Sequence, residues 1–176
     1  MPIFDQLSAA AAQRGLKFLV IGGHAVIAHG YARTTFDLDL LVEREHRTAW
    51  EELLVSLGYS VHARHEAFLQ FNTPSPQHWP VDLMLASAET FAGMWSDSEE
   101  TGVESVAVRI PSLRHLLALK LHVLKQELGH RTVKDMNDVV QLIEFKRLDV
   151  RSGAFRELCL RYGNASLYEQ LVNACG

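Results

Sequence analysis

Two aspartates separated by one residue, Asp37 and Asp39, stand in the run Thr35-Phe36-Asp37-Leu38-Asp39-Leu40-Leu41-Val42. Side chains on a strand alternate between faces, so the two carboxylates share one face while Leu38, Leu40 and Val42 point into a core. Carboxylates this close raise one another's pKa, and a divalent cation relieves the repulsion. Hard oxygen ligands from one or two carboxylates suit Mg²⁺, which keeps its remaining positions for water and substrate phosphate. Upstream, Gly22-Gly23 follows the apolar run from Leu16 to Ile21. Glycine lets the backbone approach a ligand closely, and a helix from about His24 to His29 would offer unpaired N–H groups to a phosphate. Alone, the glycine pair also fits an ordinary turn, and the aspartate pair a solvated edge strand. Their order and spacing point to a nucleoside triphosphate bridged to the protein by metal.

The elements that position these residues follow from periodicity. A buried strand from Lys17 to Ile21, the glycine turn, the short helix, a loop carrying Arg33-Thr34-Thr35 and a strand holding Asp37 and Asp39 form one unit. Before it, Ile3, Phe4, Leu7 and Ala11 predict an amphipathic helix over 3–14, stopped at Gly15. After it, Trp50, Leu53, Leu54 and Leu57 predict a helix over 45–57 ending at Gly58. Residues 59–63 and 67–71 read as a hairpin-like pair of strands. A loop with Pro74, Pro76 and Pro80 then ends at His78 and Trp79, which either line a pocket or are half-buried loop residues. A strand over 81–85, a helix over 89–95, an acidic loop over 96–100 and a strand over 103–110 complete the first part. Ser112 caps a helix with the stripe Leu113, Leu117, Leu121, Leu124 and Leu128. A further helix opens near 130–135 and faces Met136, Val139, Val140 and Ile143 to the core. Two short helices, 154–162 and 166–174, follow. The expected fold is α+β: a mixed sheet with packed helices over 1–110, then a helical portion over 111–176 packed on it in a single compact unit.

Three further residues carry charge where apolar side chains are expected. Asp82 lies in Val81-Asp82-Leu83-Met84-Leu85, and a buried carboxylate needs compensation. Its partner is either an arginine such as Arg33 or a metal site shared with Asp37 and Asp39. Lys120 projects from the middle of an apolar stripe, so its ammonium either snorkels to the rim of the core or meets anionic phosphates. Thr132 and Asp135 have capping-box spacing, which leaves Lys134 exposed.

Composition narrows the class. A chain of 176 residues, 48% of them hydrophobic, can bury a full core. A net charge of −4 argues against a surface that coats nucleic acid, while leaving a local basic patch open. Cys159 and Cys175 lack metal-ligand spacing and read as reduced thiols, and the nine histidines form no zinc-ligand cluster. No apolar run approaches the roughly 20 residues of a membrane span, and the N-terminal residues lack a leader pattern, so a cytoplasmic location without membrane contact is expected. No internal repeat is visible.

Gly22-Gly23, Arg33-Thr34-Thr35 and Asp37-Leu38-Asp39 together resemble the signature of the polymerase-β-type nucleotidyltransferase superfamily. The form GGHAV…HG…RTTFDLDLLV, within a resemblance covering about residues 16–145, is most similar to small bacterial AbiEii-type toxins and minimal nucleotidyltransferases. The resemblance implies transfer of a nucleoside monophosphate from an NTP to a hydroxyl, with two Mg²⁺ ions, or Mn²⁺ in their place, held by Asp37, Asp39 and Asp82. It implies a nucleotide site made by Gly22, Gly23, His24, Arg33, Thr34 and Lys120. Lys134 and Asp135 resemble a Lys-Asp motif serving nucleotide binding or catalysis, beside the helix-start reading above. One departure stands out: His24 occupies the position where many relatives carry serine. The implied acceptor is an RNA end, a protein or a small molecule such as an aminoglycoside. An antitoxin partner and a homodimer are further implied partners. A catalytically silent nucleotide- or protein-binding module on the same fold is the alternative, against which three retained carboxylates weigh.

Overall fold

The computed structural model describes residues 3–103, 106–126 and 130–176. The chain divides into two compact units, the first comprising Met1–Ala28 and Arg33–Ser112 and the second His29–Ala32 and Leu113–Gly176.

The first unit is built on a five-stranded mixed sheet in the order β1-β2-β5-β4-β3. Its strands are β1 (Phe18–Val20), β2 (Leu38–Glu43), β3 (Ser60–Arg64), β4 (Phe68–Asn72) and β5 (Val81–Ala86). Strands β2 and β5 run parallel, and every other pairing is antiparallel. The two parallel strands each bury four of their six residues, because a strand flanked on both sides and covered on its faces must bury most of its side chains. Leu38, Leu40 and Val42 are fully buried as the alternation predicts. Edge strand β3 alternates between exposed and half-buried residues instead.

Helices α1 (Ile3–Gln13), α2 (Gly22–Ala28), α3 (Arg47–Ser56) and α4 (Ala88–Ser96) accompany this sheet. Phe4, Leu7, Trp50, Leu53 and Leu54 are completely buried, and Trp50 meets Phe18 edge-on with ring centroids 5.8 Å apart. Gly58, at φ 91°, ends the third helix as its position suggested. The Ser87 hydroxyl caps α4 by accepting from the Thr90 N–H.

The acidic segment over 96–100 is a correction. Strand β6 (Glu99–Val103) pairs with β7 (Val106–Ile110) in a separate two-stranded antiparallel sheet. Glu100 sits opposite Arg109 in its register. The guanidinium of Arg109 also donates to the Ser98 hydroxyl and carbonyl and lies over the Trp95 ring. The ribbon buries Val103, Val108 and Ile110, and the Arg109 contacts add to that burial. The exposed, acidic start of β6 carries no hydrophobic alternation that could reveal it.

The second unit is helical: α5 (Leu113–Lys125), α6 (His130–Lys146), α7 (Gly153–Tyr162) and α8 (Ala165–Cys175). The first of these buries Leu116, Leu117, Leu121 and Leu124, while the expected Leu128, like the side chain of Ile3, lies outside the described residues. Val139, Leu142 and Ile143 form the buried face of α6. Ser152 and Asn164 cap the last two helices through their side-chain oxygens. Among the described residues, no helix is long and apolar enough to cross a membrane.

Candidate active site

The end of β1 is tied to β2 by the Ile21 N–H, which donates to the Asp39 carbonyl over 2.9 Å. The chain then turns at once into α2 through Gly22, whose φ of 57° lies in the left-handed region that favours glycine. The Asp39 carboxylate lies directly against the Gly22 Cα, so any Cβ there would overlap it. A Cβ at Gly23 would overlap the Thr35 side chain and come within 2.9 Å of the Arg33 guanidinium. The glycine pair is therefore required by the side chains laid across it. Arg33 bends over its own loop and donates to the Thr34 carbonyl at 2.9 Å, leaving the Thr34 side chain at an exposed position.

Asp39 and Asp82 are register partners on the parallel strands β2 and β5. Register partners share a face and neighbouring strands lie about 4.8 Å apart, so these two carboxylates stand side by side. Gln70, the register partner of Asp82 on β4, donates its amide to Oδ2 of that residue at 3.0 Å. Asp37 sits in the bend just before β2 rather than within the strand. Its Oδ1 accepts from the Thr35 hydroxyl at 2.8 Å. Among the described residues, no group of three or more His, Cys, Asp or Glu side chains is arranged to hold a metal ion. The donor set is nonetheless all hard oxygen, with two carboxylates adjacent and a third at the edge. That set fits Mg²⁺, which is bound through one or two carboxylates plus waters rather than by an all-protein cage.

His24, expected among the phosphate ligands, lies buried on the first turn of α2. Its side chain is only 7% exposed, with its ring 4.6 Å from that of Trp79 and edge-on to Phe4 at 5.4 Å. Burial lowers its pKa below the ordinary 6.5 and the Arg33 charge adds to this, while the Asp37 charge and a hydrogen bond to the Asp37 backbone oppose it. Its Nε2 is buried without a hydrogen-bond partner, so a proton there would have no acceptor. The neutral ring supports the backbone at Asp37. Because the unfolded chain takes up a proton near pH 6.5 and the native ring does so only at lower pH, stability contributed here is lost as pH falls below about 6.5. The melting temperature should decline on acidification from pH 7 to pH 5, and His24→Gln should flatten that decline. A parallel decline in both proteins would refute the assignment.

Trp79 belongs to this support too, since its carbonyl accepts from the buried Tyr59 hydroxyl at 3.1 Å. Burial pushes the phenol up to about 12. His78 is tied to the Ser75 hydroxyl at 2.7 Å.

Lys120 lies in the second unit, 7% exposed. Its Nζ meets Asp135 Oδ1 and Asp138 Oδ2, each at 2.6 Å, and Asp138 is fully buried. Helix α6 begins at His130, so Asp135 is an interior helical residue whose carboxylate serves Lys120 instead of closing a capping box. Lys134 is exposed. The signal for this triad was the spacing of Asp135 and Asp138, which places both on one helix face.

Sequence reasoning missed Gln70, Phe36 and His62. They share with Asp37 and Asp82 a cavity of about 340 Å³, to which Phe71, Asn72 and Pro80 also contribute. Gln70 was detectable only through its register with Asp82, and the other two only through the cavity.

No protein-family model matches the sequence, and no curated protein matches it. Solved structures do. The antibiotic-resistance factor ANT(2'')-Ia is 19% identical, with 97% of this chain and 88% of that chain covered and a TM-score of 0.59. The lincosamide antibiotic adenylyltransferase LnuA, solved with lincomycin bound, is 13% identical over 80% of this chain and 95% of its own, with a TM-score of 0.57. An antigenic nucleotidyltransferase-like protein from Paracoccidioides brasiliensis is 16% identical over 98% and 90%, with a TM-score of 0.56. At these identities the likeness is one of architecture: the chain has the polymerase-β-type nucleotidyltransferase fold.

Proposed function

We propose that this protein is a metal-dependent nucleotidyltransferase that moves a nucleoside monophosphate from an NTP to a hydroxyl acceptor. The observation that carries the reading is the side-by-side placement of Asp39 and Asp82, with the Gly22 backbone against Asp39. In the reaction the acceptor oxygen bonds to the α-phosphorus, the bond from that phosphorus to the α–β bridging oxygen breaks, and the electron pair leaves with pyrophosphate. Asp82 takes the acceptor proton and releases it to solvent. Gln70 orients that carboxylate, and Thr35 does the same for Asp37. Backbone N–H groups at the Gly22-Gly23 turn would meet the triphosphate, with Arg33 and Thr34 on the loop beside it supplying charge and a hydroxyl. Asp37, Asp39 and Asp82 would hold two Mg²⁺ ions, or Mn²⁺, which supply compensation for the charge on the phosphates and the leaving group. In this reading Lys120 and Asp135 hold α5 to α6, and Lys134 stands exposed on α6.

An RNA or protein acceptor would fit a toxin restrained by an antitoxin partner, and a small-molecule acceptor a modifying enzyme. The second reading is favoured by structural likeness to ANT(2'')-Ia, solved with adenylyl-2''-tobramycin at 16% identity and a TM-score of 0.58, and to LnuA. The deciding experiment incubates purified protein with Mg²⁺, each α-labelled NTP in turn, and the RNA, protein and small-molecule fractions of a cell extract. Label should move to an acceptor only when divalent cation is present. A folded protein that neither transfers label nor binds NTP by calorimetry would refute the proposal, and binding without transfer would favour the silent module.

A further inference from the structure

We infer that the cavity beside Asp82 is the acceptor subsite, and that it takes a neutral or cationic hydroxylated small molecule free of phosphate. This rests on the nucleotidyl-transfer reading and deepens it.

The sheet order sets the direction of the reaction. Gly22 and Gly23 follow β1, Asp39 lies on β2, Asp82 on β5, and then come β4 and β3. In an in-line displacement the entering and leaving oxygens lie on opposite sides of the phosphorus. With the triphosphate tail toward the glycine pair, the acceptor enters from the β4–β3 side, where the cavity is lined by Asp82, Gln70, His62 and Phe36. Its volume of about 340 Å³ is that of a small-molecule site.

Two local features adapt this wall for a ligand. The register of β3 on β4 runs from Val61 opposite Phe71 to Ala63 opposite Gln70, which leaves His62 as an extra residue. Such a bulge re-aims a side chain and is common beside active sites. Here it brings the His62 imidazole to the cavity. Phe36, immediately before Asp37, is 76% exposed and also lines the cavity. An aromatic ring held in water beside a catalytic carboxylate offers a flat face for a sugar ring or another planar group.

Charge decides the class of acceptor. The lining carries the carboxylates of Asp37 and Asp82, and among the described residues that line it there is no lysine or arginine. A phosphodiester chain entering here would meet negative charge without a counter-ion, whereas hydroxyls and amines would find acceptors. Mg²⁺ held there would have its charge matched by the triphosphate itself.

The test uses label transfer from α-labelled NTP with Mg²⁺ to the small-molecule, RNA and protein fractions of an extract, comparing wild type with Phe36→Ala and His62→Ala. Both positions are exposed, and circular dichroism checks that the variants fold. Label should enter the small-molecule fraction, in a product whose acceptor part carries no phosphate. Each variant should raise the acceptor KM about tenfold with the NTP KM altered less than about twofold, the size of a lost ring contact. Label in RNA or protein overturns the inference while leaving nucleotidyl transfer standing. So does an acceptor KM unmoved by both substitutions, or NTP binding with no labelled fraction. Absence of NTP binding removes the underlying reading itself.

Discussion

Asp39→Asn should lower nucleotidyl transfer at least about 10³-fold, because the metal-assisted compensation of phosphate charge is worth several kcal/mol and each 1.36 kcal/mol is tenfold in rate. The substitution keeps the size and one oxygen of the side chain, so its contact with the Gly22 Cα persists and the fold should survive. What it removes is a negative charge from the pair on β2 and β5. Metal-dependent NTP binding should weaken in parallel. Asp82→Asn should behave differently: its remaining carbonyl can still accept from Gln70, and NTP binding should be largely kept, while transfer falls roughly 10²- to 10⁴-fold with loss of the base. Calorimetric NTP titration and single-turnover label transfer separate the two outcomes. Transfer by Asp39→Asn within about tenfold of wild type would mean that the pair is not the metal site.

Lys120→Met should destabilise the protein by about 3–5 kcal/mol, the range for removing one partner of a buried ion pair. Two carboxylates meet this ammonium, one of them fully buried, so the substitution strands negative charge between α5 and α6. The double variant Lys120→Met/Asp138→Leu should regain a good part of the loss, since a buried ionic group can be exchanged for apolar side chains at little net change. Urea denaturation followed by circular dichroism gives both values. Should Lys120→Met keep wild-type stability and lose NTP affinity, the lysine would be a phosphate ligand after all, and Asp135 and Asp138 only its positioning groups.

The contrast between Asp39 and Lys120 shows which features the sequence encodes locally. The period of two residues on a strand is enough to place Asp39 on the face opposite Leu38 and Leu40, though Asp37 lies in the bend before it, and apolar neighbours on both sides are enough to make Asp82 exceptional. The glycine pair and the stripe of α3 are likewise written within one or two turns of chain. Tertiary structure decided the rest. That Asp39 and Asp82 share a register depends on parallel pairing of strands far apart in sequence, where the number of intervening residues carries no register information. His24 sits at a position that local pattern assigns to phosphate, and only the arrival of Phe4 and Trp79 turns its ring inward. The bulge at His62 exists only in the pairing of two strands, and β6 is a strand only through its pairing with β7, since its acidic first half carries no hydrophobic period. By itself the sequence determined the kinds of groups and the faces they occupy, because periodicity is a local property of the backbone. Which groups meet, and so which act on a substrate and which merely neutralise one another, was decided by packing, because burial and distance between remote segments exist only in the folded chain.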